Sequence, residues 1–150
     1  MNDSPKRVLF VCIGNACRSQ MAEAFARAYG SDVVAPASAG LYPADALPAN
    51  TLRAMSEKNL DLRGQFPKHI RQLGRSQFDL IVNMSGEALP GRFEAPVRNW
   101  DVRDPVSLNY EEHCAVRDEI ERMVMNLVLE LRRERNAPVF RGQGSGRLKL

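Results

Sequence analysis

Val8-Leu-Phe-Val-Cys12-Ile13-Gly14-Asn15-Ala16-Cys17-Arg18-Ser19-Gln-Met21-Ala-Glu-Ala24 is the stretch on which the reading of this chain turns. Its apolar run from Val8 to Ile13, bounded by Lys6-Arg7, reads as a short buried parallel strand. Met21, Phe25, Ala28 and Tyr29 then follow at spacings of three and four, which predicts a helix. Between the two lies a tight polar turn that begins at Cys12 and reaches Arg18 after five intervening residues. A thiol at a strand tip, beneath a helix N-terminus and beside an arginine, suits a tetrahedral oxyanion. The unpaired first-turn amides and the helix dipole attract negative charge. Gly14 is expected to take positive φ so that successive N–H groups converge on one ligand. Arg18 offers a planar fork for two anion oxygens at once. The same positive setting suits a nucleophilic Cys12 thiolate.

Working outward, the chain of 150 residues fits one domain with a single core, assigned to residues 1–140. The segment 141–150 holds almost nothing apolar and is expected to be a disordered tail. With 21 basic against 18 acidic residues, the formal charge of +3 suits small anions but forms no nucleic-acid stripe. No run reaches the length of a membrane span, and the short apolar run near the start leads into the site rather than to a cleavage signal. The three cysteines show no metal-ligand spacing with His69 or His113, so neither metal nor cofactor is expected. A cytoplasmic, reducing location would keep Cys12 a thiol.

Val33-Val34-Ala35 predicts a second strand, with Ser38-Ala39-Gly40-Leu41-Tyr42 as a loop at the edge where the thiol sits. Leu41 and Tyr42 are candidates for a cleft wall, although Tyr42 also reads as a half-exposed loop aromatic. From Pro48, Leu52, Met55 and Leu60 suggest a helix ending near Asn59 or Asp61. Asp79 to Met84 reads as a third strand and Val97 to Trp100 as a short fourth. Asn109 with Glu112 makes a capping box for a long helix from Tyr110 to about Arg135, whose apolar stripe is Ile120, Met123, Val124, Leu127 and Leu131. Cys114 falls on this helix as a core or boundary residue. The alternation predicts a three-layer α/β fold, a four-stranded parallel sheet of order 2-1-3-4 with helices on both faces. Ligand would then bind at the carboxyl ends of the strands, at the switch point.

The run from Val8 to Ala24 resembles the phosphate-binding loop of the low-molecular-weight protein tyrosine phosphatases, and of the arsenate reductases that share their fold. The resemblance covers roughly residues 6–135 and is dense only around residues 8–24. It implies phosphomonoester hydrolysis through a covalent thiophosphate, with a phosphorylated protein or small phosphate ester as partner. Phosphate, vanadate or arsenate would be ligands of the same loop. Cys12 would be nucleophile and Arg18 the transition-state clamp. Ser19 would hydrogen-bond the thiolate and ease its departure, while Asn15 would hold the shape of the loop. By resemblance, Asp104 of Trp100-Asp-Val-Arg-Asp104-Pro105 is the general acid, with Asp101 in reserve, and Cys17 can form a reversible disulfide with Cys12. His69 is an acid–base candidate that this chemistry does not need.

Two features separate the branches of that family. Phosphotyrosine-specific members often carry an aromatic after the Asp-Pro and an acidic residue after the third-strand methionine. Here Val106-Ser107-Leu108 and Ser85 stand at those places. Trp100 to Pro105 and Val116 to Ile120 look more like the reductase branch. Thioredoxin-coupled reductases, however, relay electrons through two cysteines just after the third strand, and Val82 to Pro90 contains none. A phosphatase is therefore expected, with arsenate reduction through an external thiol or Cys17 as the alternative.

Overall fold

The computed structural model describes residues 3–73 and 77–138. Strand β1 (Lys6–Cys12) leads into helix α1 (Arg18–Gly30), and β2 (Val34–Gly40) precedes α2 (Ala49–Ser56). Strands β3 (Leu80–Asn83) and β4 (Val97–Asn99) follow, and α3 (Tyr110–Asn136) closes the described chain. Two 3-10 helices lie between them, Ile70–Leu73 and Pro105–Ser107. All strand pairs are parallel, in the order β2-β1-β3-β4. Cys12 pairs with Gly40, and Val11 with Asn83, so the thiol sits at the carboxyl end of the central strand where the order reverses.

Side chains on β1 alternate between two apolar layers, as the pleat requires. Val8 and Phe10 join Leu80 and Val82 of β3 against Met21 and Phe25 of α1, Met55 of α2, and Val116, Ile120 and Val124 of α3. Leu9, Val11 and Ile81 face the other way, onto Ala39, Leu41 and Ile70, so the helical cover there is the 3-10 turn. Each large side chain buried in full contributes about 1.5–3 kcal/mol. The fold therefore rests on these layers, and the tip of β1 is free to be polar.

Several boundaries differ from expectation. β1 begins at Lys6, and β2 runs through Pro36 to Gly40. β2 is an edge strand, where a residue without an N–H costs no ladder bond on the open side. Ser38-Ala39-Gly40 is thus strand rather than loop. α2 ends at Ser56, and Asn59 takes a left-handed φ of 62°. The Leu60 N–H reaches the Met55 carbonyl and the Asn59 N–H that of Ser56, a Schellman closure. α3 carries the expected capping box, with the Glu112 N–H donating to Asn109 and the Asn109 N–H to Glu112. The segment 141–150, read as a tail, lies outside the described residues.

Candidate active site

Between β1 and α1 the chain wraps around its own thiol. No side chain caps α1, and the Ser19 N–H turns toward the Cys12 sulfur at 3.4 Å. The Ser19 hydroxyl lies 2.9 Å from the same sulfur. Asn15 occupies the middle of the loop, fully buried, with φ 49°. Gly14, expected to supply the positive φ, does not. The left-handed turn falls one residue later, where an asparagine can hold it with side-chain bonds.

Those bonds fix the loop. The Asn15 Oδ1 accepts from the Lys68 N–H at 2.9 Å and from Gln20 Nε2 at 3.1 Å. Its amide nitrogen therefore donates, to Ser19 Oγ at 2.7 Å and Ser38 Oγ at 3.0 Å. Ser38 in turn donates to Glu23 at 2.5 Å, and Glu23 pairs with Arg27. Ser19 Oγ accepts from Asn15, which leaves its own proton for the Cys12 sulfur. Every member is satisfied, the condition for a buried polar network to stabilise rather than cost.

Arg18, 5% exposed, spans from the loop to the acid segment. Its Nη1 donates to the Met84 carbonyl at 2.7 Å and the Val102 carbonyl at 3.1 Å, leaving the Nε/Nη2 edge for an oxyanion. Nη2 stands 3.4 Å from Asp104 Oδ2. Asp104 is half-exposed, so this pair contributes little stability. Its meaning is geometric: the carboxylate lies over the loop. The other oxygen, Oδ1, accepts from the Val106 N–H and caps the 3-10 turn Pro105–Ser107. Asp101 is exposed on the wall of a cavity of about 690 Å³ that Arg18, Asn83, Trp100 and Val102 also line.

The remaining candidates divide. Ile13 and Gly14 present carbonyls that accept from the Tyr42 and Ala44 N–H groups, at 2.8 and 2.9 Å. Ala16 is buried in the loop. Tyr42, 69% exposed, stands beside this loop, whereas Leu41 belongs to the second apolar layer and is no cleft wall. Strand β2 runs on to Gly40, so the next side chain turns inward. His69 is tied locally, its Nδ1 accepting from the Arg71 N–H and its own N–H donating to Gln72. Its backbone forms an isolated parallel bridge with Gly40. Cys114 is half-buried on α3.

Cys17 is the surprise. Its sulfur, 4% exposed, is 3.3 Å from the Thr51 hydroxyl. Burial, reinforced by the neighbouring Cys12 and Asp104, outweighs that hydrogen bond and pushes the thiol up to about 11. Gly40 and Thr51 were both missed as site residues. A Cβ on Gly40 would lie 2.8 Å from the Asn15 nitrogen, so only glycine lets β2 pass the loop. Its place beside Ser38 was the available signal. Thr51 gave none. Among the described residues no group of His, Cys, Asp or Glu could hold a metal, and no helix is long and apolar enough to cross a membrane.

Comparison with known proteins agrees with this geometry. A family model described as low molecular weight phosphotyrosine protein phosphatase matches residues 7–137. The chain is 31% identical over 130 residues to the glutaredoxin arsenate reductase of Synechocystis sp., covering 84% of this chain and 98% of the relative. A solved structure described as an arsenate reductase in the phosphate binding state superposes with a TM-score of 0.75 at 30% identity, covering 84% and 98% of the two chains. The YwlE arginine phosphatase from Geobacillus stearothermophilus shares the fold, with a TM-score of 0.76 at 24% identity over 87% and 96%.

Proposed function

Because the chain belongs to the low molecular weight phosphotyrosine protein phosphatase family, we propose that it hydrolyses phosphate monoesters through a covalent thiophosphate on Cys12. The observation that carries this reading is the meeting of three groups: a thiol under Ser19, a buried Arg18, and Asp104 at 3.4 Å from that arginine. The Cys12 sulfur attacks phosphorus in line with the ester oxygen. Arg18 and the loop N–H groups hold the equatorial oxygens as charge spreads over them. Asp104 protonates the departing oxygen, and its carboxylate then takes a proton from the water that attacks the thiophosphate. Ser19 stabilises the thiolate released in that second step. Aryl phosphates, protein phosphotyrosine among them, are the proposed substrates, with the exposed Tyr42 ring beside the loop to meet the phenyl group. A reducing, cytoplasmic setting would keep Cys12 functional.

Arsenate reduction is the second reading, favoured by the names of the relatives. It consumes two thiols per arsenate, giving arsenite, water and a disulfide. Val82 to Pro90 supplies no second thiol, and Cys17 is held protonated against Thr51. An external thiol such as glutathione would have to serve. The deciding experiment measures p-nitrophenyl phosphate hydrolysis by wild type and Cys12→Ser. Steady turnover that is lost in Cys12→Ser, with phosphate still bound, is expected. No hydrolysis by the wild type, alongside arsenate-dependent NADPH oxidation with glutathione, glutaredoxin and glutathione reductase, would overturn the order.

A further inference from the structure

The direction of the Arg18 fork is set by the nitrogen that does not face the oxyanion. Nη1 carries two protons, and both are committed, to the Met84 carbonyl at 2.7 Å and the Val102 carbonyl at 3.1 Å. With that end pinned, the plane of the guanidinium and the aim of its Nε/Nη2 edge follow the two carbonyls. Both carbonyls lie beyond the sheet, since β3 ends at Asn83 and β4 at Asn99. The Met84 N–H still bonds the Val11 carbonyl at 2.7 Å, but the Met84 carbonyl has left the ladder.

Asn83, 4% exposed, takes over where the ladder stops. Its Oδ1 accepts from the Ser85 N–H at 3.0 Å and from the Ser85 hydroxyl at 2.6 Å. Its Nδ2 donates to the Glu87 carbonyl at 2.8 Å and to Asn99 Oδ1 at 3.1 Å. An N–H only donates and a carbonyl only accepts, so the amide oxygen must face Ser85 and the nitrogen Glu87. The peptide unit joining Met84 to Ser85 carries both the N–H that Asn83 holds and the carbonyl that Arg18 uses. That unit is planar and trans, so its N–H and C=O point opposite ways. Fixing the N–H toward Asn83 on one side therefore fixes the carbonyl toward Arg18 on the other. The second carbonyl is tied to the same residue. The Trp100 N–H donates to the Asn83 carbonyl at 2.9 Å, and Val102 follows two residues later.

We propose that Asn83 is a positioning residue for Arg18: through the Met84–Ser85 peptide it aims the guanidinium fork at the oxyanion. Apolar packing is a poor substitute here. A peptide plane can turn about its flanking single bonds with little change in the volume it fills, so a directed bond to that same plane is what holds it. The catalytic consequence rests on the phosphatase reading, whereas the aim of the fork is open to test by oxyanion binding alone.

Asn83→Ala removes the acceptor and frees the peptide to turn. A displacement of about 1 Å at a site costs on the order of 100-fold, so kcat/KM on p-nitrophenyl phosphate and affinity for vanadate should each fall about tenfold or more. Asn83→Asp keeps an acceptor for the Ser85 N–H while giving up the two donors, and it should recover most of the loss. A double-mutant cycle separates aim from general support of the fold. Lysine has no fork to aim, so in the Arg18→Lys background Asn83→Ala should change vanadate affinity by less than about twofold, as read by isothermal titration. A loss in that background as large as in wild type, or an aspartate variant no better than the alanine one, would overturn the proposal. Hydrogen exchange checks it without any variant: the Ser85 amide is expected to be protected, and exchange as fast as that of the exposed Gly86 would also overturn it. A wild type that binds vanadate but hydrolyses no ester instead refutes the phosphatase reading, and the vanadate cycle still decides the role of Asn83.

Discussion

Gly40→Ala pushes on the phosphate loop without altering any group that reacts. The added Cβ would lie 2.8 Å from the Asn15 nitrogen and from the Ile13 carbonyl oxygen, and 2.9 Å from the Asn15 Cβ. It would fall about 0.6 Å short of the 3.4 Å at which ordinary contact begins. Two of the three atoms are backbone, so no rotamer change relieves the clash. β2 is held at this point by the Leu41 N–H on the Cys12 carbonyl and the Gly40 N–H on that of Lys68, so the loop must give part of the distance. Overpacking of this kind costs about 1–3 kcal/mol. At about 2–4 °C per kcal/mol for a chain of this size, the midpoint of thermal unfolding should fall by roughly 2–12 °C. Catalytic sites tolerate displacements of about 0.5 Å, and about 1 Å costs on the order of 100-fold, so kcat/KM should fall about 10- to 100-fold. The assay is p-nitrophenyl phosphate kinetics with vanadate inhibition, beside a thermal melt. A variant within twofold of wild type in kcat/KM and vanadate affinity would refute the claim that Gly40 sets the loop's position.

Asp104→Asn should cut kcat about 10²- to 10⁴-fold on phenyl phosphate and much less on p-nitrophenyl phosphate; equal losses would return the role of acid to Asp101. Cys17, protonated and buried beside Thr51, should resist iodoacetamide at pH 7.5 while half-buried Cys114 is alkylated, as peptide mass mapping will show. Rapid labelling of Cys17 would mean that its seat opens. Burial holds His113 below its ordinary value of 6.5, so the unfolded chain binds more protons there than the folded one as the medium is acidified. That contribution to stability is complete above pH 6.5 and is lost as the pH falls toward the folded-state value, and His113→Asn should remove it. Identical melting-temperature slopes between pH 7.5 and 5.5 in both proteins would show that His113 is not the group responsible.

The loop was legible because its chemistry is consecutive: Cys12, Asn15, Arg18 and Ser19 lie within one turn of chain, and the strand and helix around them announce themselves by periodicity. Asp104 was legible only through the family resemblance, since Asp-Pro alone also starts ordinary turns. Within the loop, Gly14 and Asn15 both tolerate a left-handed backbone, and adjacent residues give no local reason to choose between them. The choice is made at a distance, by the Lys68 N–H and Ser38 hydroxyl that receive the asparagine side chain. From sequence alone β2 reads as ending at Ala35, because Pro36 looks like a breaker until the strand is known to lie at an edge. His113 and Thr51 meet across 62 residues of sequence, so no window holds both. One signal was present: continuing the α3 stripe backward from Ile120 passes Val116 and arrives at His113, a titratable side chain on the buried face.

The loop differs from the core in what makes it rigid. Apolar layers fix side chains by volume, but a cradle for an oxyanion must leave its amides unblocked and its centre accessible. Rigidity then has to come from directed bonds behind the loop, and Asn15 supplies them with all four of its side-chain valences. The direction of those bonds has a chemical result. Because the Lys68 N–H obliges Oδ1 to accept, the amide nitrogen must donate to Ser19, and the Ser19 proton is turned toward the sulfur. The same donor that shapes the loop thereby polarises the nucleophile's hydrogen bond. A residue of similar size with two acceptors in place of the amide, as in Asn15→Asp, would break both functions together: it would set a carboxylate against Ser19 and place a second negative charge behind the thiolate. Preorganised donors of this kind, fixed before any substrate arrives, are where an electrostatic site gains its advantage over water.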